Sequence, residues 1–325
     1  MMAGVRAIIF AAIVAVSATP AITQAAPAGE YERAQTLFHE KHYREAIAVL
    51  DAFLILHPRD ARALVLRGDC RADLGENNAA LADYNAAIGI APAFQYAYTT
   101  RCETRLALDD TSGALADCNE AIRLDGSDGL AFEDRADVHF ARSAYPLALA
   151  DYDRAIQLGR SSAYVFAARC DAERLTGKPE AAARDCAQAL TLDPKSRRGL
   201  WARGRLALTQ QRYVDAIADL NAYIMQNPPK SDTGYYYRAL AFNRLGKYAD
   251  ALGDANTYVA RQPRDADGLQ ERGVARFGTG DAAGALADLQ AAAAGYRKDG
   301  DLAAAERVDA MLAQARAGRQ PQPQP

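Results

Sequence analysis

Apolar residues recur at helical spacing from Ala61 to Leu74 and again from Asn78 to Ile90. Gly75 breaks the first stretch and Pro92 closes the second. Comparable punctuation returns at Gly177 with Pro194 and at Gly246 with Pro263. The interval between such pairs is fixed. Ala46, Ala80, Ala114, Ala148, Ala182 and Ala216 are each 34 residues apart, and after one inserted residue the series continues at Ala251 and Ala285. Arg33, Arg67, Arg101, Arg135, Arg169, Arg203, Arg238 and Arg272 form a second series, and Asp83, Asp117, Asp151, Asp185, Asp219, Asp254 and Asp288 a third. Three residue types sharing one period and one insertion point predict an all-α array of helical hairpins, in which each hairpin buries its apolar face against its neighbours.

Numbered from 1 to 34 within each repeat, the chain places Gly68, Gly204 and Gly273 at position 8, the alanine series at position 20 and Tyr84 and Tyr152 at position 24. Ala87, Ala121, Ala155, Ala189 and Ala292 fall at position 27, and Pro58, Pro92, Pro194, Pro228 and Pro263 at position 32. This pattern of small, aromatic and closing proline positions resembles the tetratricopeptide repeat (TPR) family. The resemblance covers eight repeats: 27–60, 61–94, 95–128, 129–162, 163–196, 197–231, 232–265 and 266–299. It implies a right-handed superhelical solenoid of helix-turn-helix repeats. An amphipathic stretch at 300–317 reads as the capping helix that such arrays need over their last apolar face. The small residues fit places where helix axes approach closely. In the seventh repeat position 24 is small (Ala255) and position 27 large (Tyr258), so volume is moved between sites. The first repeat is irregular, with Phe53 at position 27.

Alanine dominates the 50% of residues that are hydrophobic, which favours closely packed helices. The formal net charge of −3 is spread along the chain and gives no concentrated basic surface for nucleic acid. Met1 to Arg6 is a short basic segment, Ala7 to Ala18 is apolar, and small residues follow to Ala25. The apolar run is well short of the ~20 residues that span a bilayer. Residues 1–25 are therefore read as a signal peptide cut near Ala25, with an uncleaved anchor as the alternative. The expected location is periplasmic or secreted, without membrane insertion after cleavage. The proline-rich end, 318–325, is expected to be a disordered tail.

The repeating Arg at position 7 and Asp at position 23 read as an ion-pair ladder between the two helices of a hairpin, in preference to a charged recognition stripe. The first repeat carries Val49 in place of the Asp. Cys102 and Cys118 occupy positions 8 and 24 of the third repeat, and Cys170 and Cys186 the same positions of the fifth. Facing positions on closely packed helices suit a disulfide, and an exported chain meets an oxidising compartment. Two intra-repeat disulfides are expected, with buried free thiols as the alternative. Cys70 is left over as a free thiol. No zinc-type spacing links the cysteines to His39, His42, His57 or His139, and no cofactor is expected.

The TPR resemblance further implies a concave face lined by the first helix of each repeat at positions 2, 5, 9, 12 and 13. Carried onto this chain, it names Asp69, Glu103, Asp137 and Asp171 as an acidic strip followed by Arg205, with Tyr96, Phe140, Tyr164, Trp201 and Tyr236 as aromatic anchors beside it. A segment with basic residues is the partner such a strip suits. The carboxylate clamp known in the family needs Lys at position 5 with Asn at position 9, and no repeat supplies it. No hydrolase, phosphate-loop or zincin motif is present, so catalysis is not expected. The function implied is a scaffold or adaptor that binds a protein or peptide, as a monomer or weak oligomer. A self-assembling envelope component is the alternative, and an enzyme or enzyme subunit the remote one.

Overall fold

The computed structural model describes residues 28–226 and 233–322. The signal segment expected at 1–25, Pro228 and residues 323–325 lie outside the described residues. Among the described residues the structure is helical throughout, with seventeen α-helices and no strand. The chain divides into two compact halves, one ending at Ser161 and the other starting at Ser162.

The first half holds α1 (Ala28–His39), α2 (Tyr43–Leu56), α3 (Ala61–Asp73), α4 (Asn77–Ile90), α5 (Gln95–Ala107), α6 (Thr111–Leu124), α7 (Gly129–Ala141) and α8 (Tyr145–Gln157). The second holds α9 (Ala163–Leu175), α10 (Pro179–Leu192), α11 (Arg197–Thr209), α12 (Tyr213–Met225), α13 (Thr233–Arg244), α14 (Tyr248–Arg261), α15 (Ala266–Gly278), α16 (Ala282–Lys298) and α17 (Leu302–Arg316). Within each half, the first helix of a repeat packs on its own second helix and on the first helix of the following repeat. This is solenoid stacking, in which each hairpin packs against the next. The hairpins are the eight that the side-chain period predicts.

Each hairpin turns at position 15 in the left-handed backbone region. Gly75, Gly177, Gly246 and Gly280 have φ between 69° and 93° there, and Lys41, Asp109, Ser143 and Gln211 between 58° and 64°. Glycine adopts this conformation without steric cost, whereas a side chain is strained in it. Half of the repeats therefore hold the turn without glycine, closed by backbone hydrogen bonds such as His42 N–H to the Leu37 carbonyl and Asp110 N–H to that of Arg105. Several helices begin on side-chain caps: the Asp60 carboxylate accepts from the backbone N–H of Arg62 and Ala63, and Asp110 from that of Gly113.

Small residues sit where the expected crossings lie. A Cβ on Gly68 would stand 2.5 Å from the Tyr84 ring, and one on Gly273 would stand 2.9 Å from Leu289. Tyr84 and Leu289 are themselves fully buried. Position 8 is thus held small by the bulk at position 24 of the facing helix. In the seventh repeat, where both Ala239 and Ala255 are small, Tyr258 fills the layer instead and lies where a Cβ on Gly268 would come within 2.6 Å. Phe53, at the same position of the first repeat, is 1% exposed and is buried together with Leu50 at position 24.

Helix α17 closes the second half by burying Ala304, Ala305, Val308, Met311, Leu312 and Ala315. Residues 318–322 differ from the free tail expected from composition. The Gln320 side chain donates to the Val274 carbonyl oxygen, and the Gln322 backbone N–H donates to Gln314 Oε1, so these glutamines bind the segment back onto α15 and α17.

Candidate interaction faces of the repeat helices

The charged series lies inside the hairpins. In all seven repeats that carry both residues, the position-7 guanidinium grips the position-23 carboxylate with two nitrogens. Arg67 donates to Asp83 at 3.0 and 2.6 Å, Arg135 to Asp151 at 2.8 and 2.7 Å, and Arg272 to Asp288 at 2.8 and 2.7 Å. Arg101–Asp117, Arg169–Asp185, Arg203–Asp219 and Arg238–Asp254 repeat the arrangement. Bidentate pairing fixes orientation as well as distance. The ladder also runs between repeats. A further nitrogen of Arg67, Arg101, Arg135 and Arg238 donates to Asp51, Asn85, Asn119 and Asn221 on the second helix of the preceding repeat. Position 25 therefore matters, and its run of Asn and Asp was the overlooked sequence signal. Arg71, Arg105 and Arg276 add a second cation to Asp83, Asp117 and Asp288.

The acids of the first half are engaged within the protein. Asp69 is 1% exposed and accepts from the Tyr84 hydroxyl at 2.8 Å and from the Tyr96 hydroxyl at 3.1 Å. Asp137 accepts from the Tyr152 hydroxyl at 2.5 Å. Position 9 acids thus accept from the position 24 tyrosines, giving those buried phenols a carboxylate acceptor. Phe140 stacks edge-on against Tyr145 at 5.3 Å. Glu103 is half-buried near Glu133. Burial pushes the Glu133 carboxyl up to about 7, and Asp137 and Glu103 add to that rise, while Arg160, with nitrogens 2.7 and 2.6 Å from Glu133 Oε2, opposes it. The continuous open strip expected from sequence is therefore replaced, at Asp69 and Asp137, by carboxylates committed to tyrosine.

The second half carries a different face. Asp171, 5% exposed, lies 3.1 Å from Arg174 and 3.3 Å from Arg205 Nη1. Arg205 sits over the rings of Trp201 (5.4 Å) and Tyr237 (5.2 Å), Arg198 over Tyr164 (4.5 Å) and Arg197 over Tyr223 (4.3 Å). Trp201 also meets the Tyr223 ring at 5.0 Å and the Tyr237 ring at 5.2 Å. Tyr236 packs against Tyr237 and Tyr258, and burial holds its hydroxyl well above the ordinary phenol range. Tyr164, Arg198, Trp201, Arg205 and Tyr237 all keep part of their surface exposed. Of the residues named from sequence, Trp201 and Arg205 contact each other and Tyr237, while Tyr164 pairs with Arg198; Arg198, Tyr223 and Tyr237 were not named. Arg198 occupies position 2, a concave-face position of the repeat, and was readable on that ground.

The cysteine pairs fill the slot that Gly68 and Tyr84 fill in the second repeat. Cys102 and Cys118 have Cα atoms 5.5 Å apart and lie at disulfide distance, as do Cys170 and Cys186. Cys70 is buried and unpaired, and burial pushes its thiol up to about 12. Among the described residues, no group of three or more His, Cys, Asp or Glu is arranged to hold a metal ion, and no helix is long and apolar enough to cross a membrane.

Comparison with known proteins agrees with this geometry. The tetratricopeptide repeat family model matches residues 31–93, 103–163, 171–232 and 236–303. A comparison with curated proteins gives no match. Among solved structures, the chain is similar to one in the crystal structure of the APC/C hetero-tetramer Cut9–Hcn1. Identity is 16%, the TM-score is 0.70, and the match covers 87% of this chain and 54% of that one. The chain thus spans about half the length of that relative. It is also similar to a tetratricopeptide repeat protein from Parabacteroides merdae, at 19% identity and a TM-score of 0.55, covering 79% of this chain and 98% of that one. At these identities the likeness is one of fold. With the family model matching most of the chain and the helical hairpins falling in step with its period, the chain belongs to the tetratricopeptide repeat family.

Proposed function

We propose that this chain is an exported, non-catalytic adaptor that holds a protein or peptide segment against the first helices of its repeats. TPR scaffolds bind partners through such faces. The observation that carries the reading is a division of labour among the side chains. Positions 7, 23 and 25 are spent inside and between hairpins on the Arg–Asp ladder. On α11 and α13, by contrast, Trp201, Arg205 and Tyr237 stack together, and on α9 Tyr164 stacks with Arg198 of α11, and all stay partly exposed. Aromatic and arginine side chains in one partly exposed layer are the usual composition of a protein-binding hot spot. Export is supported by the basic-then-apolar start of the chain and by two cysteine pairs at disulfide distance, an arrangement that persists in oxidising compartments.

The test is quantitative affinity capture from an envelope extract with the mature chain, comparing wild type with Trp201→Ala and Arg205→Gln. The expected result is a protein retained by wild type and lost from both variants, while circular dichroism shows both still folded. Identical captured sets from folded variants would refute the assignment of this face.

A further inference from the structure

We infer that the partner segment held on α9, α11 and α13 is acidic, a peptide whose carboxylates meet Arg205 and Arg198 while an adjacent apolar side chain packs on Trp201 and Tyr237. This rests on the docking face proposed above and reverses the charge that the sequence suggested for the partner. The first argument is the state of Asp171. Its carboxylate has Arg174 at 3.1 Å and Arg205 at 3.3 Å, and its side chain is 7% exposed, so it presents little negative charge to a partner. The second is the orientation that stacking imposes. A guanidinium lying over a ring face directs its N–H groups outward in its own plane, where they match the two oxygens of a carboxylate. The Arg205 guanidinium carbon lies 5.4 Å from the Trp201 ring centroid and 5.2 Å from that of Tyr237, two rings set at 75° to each other, so it lies flat on at most one of them and keeps its N–H edge clear of that ring.

The third argument is the spare donor capacity of Arg205. Its only acceptor among the described residues is Asp171, reached by Nη1 alone at 3.3 and 3.5 Å. The remaining nitrogens have no acceptor there, and the side chain is 21% exposed. A guanidinium carries five N–H donors, so most of its capacity is open. The contact with Asp171 already shows the chemistry at long range: a carboxylate approaching the Trp201-stacked arginine. Peptide is favoured over a polyphosphate strand because the formal net charge of −3, spread along the chain, gives no concentrated basic surface.

Trp201 is the only tryptophan in the chain, so its emission reports on this face alone. The full mature chain is titrated with four probes: a synthetic peptide of repeating Glu-Gly-Leu, its Gln-Gly-Leu and Lys-Gly-Leu counterparts, and a single-stranded oligonucleotide. The expected result is that the Glu peptide binds most tightly and shifts Trp201 emission. Its affinity should fall steeply between ~0.1 and ~1 M salt, where the screening length drops from ~10 to ~3 Å. Arg205→Gln and Arg198→Gln, both of which keep Trp201, should each weaken binding about tenfold. Equal or tighter binding of the Lys or Gln peptide would overturn the acidic assignment while leaving the docking face standing. Tighter binding of the oligonucleotide would overturn the choice of peptide. No emission change with any probe would overturn the inference itself. The capture experiment with Trp201→Ala decides independently whether the face docks a protein at all.

Discussion

Replacing Asp288 by Asn should cost the second half much more stability than replacing Asp219 by Asn, although both remove the same ladder partner. Asp288 accepts from Arg272 at 2.8 and 2.7 Å and from Arg276 at 2.9 Å. Its side chain is 6% exposed, and those of Arg272 and Arg276 are 18% and 27% exposed. Loss of the carboxylate leaves two shielded guanidinium groups facing an amide that cannot balance their charge. Breaking a buried pair in this way costs about 3 kcal/mol. Among the described residues Asp219 accepts only from Arg203, at 2.8 and 2.6 Å, and that arginine is 47% exposed. Among the described residues no neighbouring repeat holds Arg203 as Asn221 holds Arg238, and position 25 of the fifth repeat is Ala187. Freed from its carboxylate, Arg203 turns to water, and the cost is ~1 kcal/mol or less. Urea unfolding followed by circular dichroism, with slopes compared to confirm that the unfolding unit is unchanged, gives both values. A loss from Asp219→Asn equal to or larger than that from Asp288→Asn would refute the view that the second cation and the shielding give the ladder its strength.

Three further outcomes follow from the same geometry. Gly68→Ala should destabilise by about 1–3 kcal/mol, because the Tyr84 ring, 2.5 Å from the new Cβ, is held in place by Asp69; Gly253→Ala at an exposed site of α14, with nothing within 4 Å, should stabilise by about 0.5–1 kcal/mol in the same urea assay. Thiol titration in denaturant should find one thiol without reductant and five with it, and reduction should cost about 3 kcal/mol for each of the two pairs, whereas five thiols without reductant would remove the disulfides. Glu133 has a carboxyl raised to about 7 from 4.5, so the fold retains a proton there that the unfolded chain releases; its contribution is full below about pH 4.5 and lost as pH climbs through about 7. The stability of Glu133→Gln relative to wild type, read from thermal melting, should therefore be greater at about pH 8 than at about pH 5, and an unchanged difference would contradict the burial argument.

What could be read from sequence was whatever recurs in register. Arginine and aspartate return 16 residues apart in seven repeats, and a separation kept through an insertion marks facing residues on two helices; the structure places them in bidentate contact. The two cysteine pairs share that separation of 16 and were legible for the same reason. Position 25 escaped because it varies among Asp51, Asn85, Asn119, Ala187 and Asn221, and only the arginine reaching back from the next repeat gives it meaning. The left-handed turns at Lys41, Asp109, Ser143 and Gln211 escaped because no glycine marks them; backbone hydrogen bonds to the end of the preceding helix close them.

The acids at position 9 show why a face is harder to read than a fold. Their spacing put them correctly on the first helices. Whether a carboxylate there points at a partner or inward depends on the residue 15 places later. Where that residue is Tyr84 or Tyr152, the phenol claims the acid. In the fifth repeat the place is taken by Cys186, which faces Cys170. Asp171 is then left to the arginines, and neutralising it exposes the positive character of Arg205 beside Trp201. The same substitution that allows a cysteine pair thus changes the charge the neighbouring face presents. The residue at position 24 therefore sets how far Asp171 draws on Arg205, and Cys186→Tyr combined with Cys170→Gly tests it. The introduced phenol should take the Asp171 carboxylate as Tyr84 takes Asp69, release Arg205, and strengthen binding of the Glu-Gly-Leu peptide. Unchanged affinity in a folded variant would uncouple position 24 from Arg205 and leave the tyrosine–acid pairing a matter of packing alone.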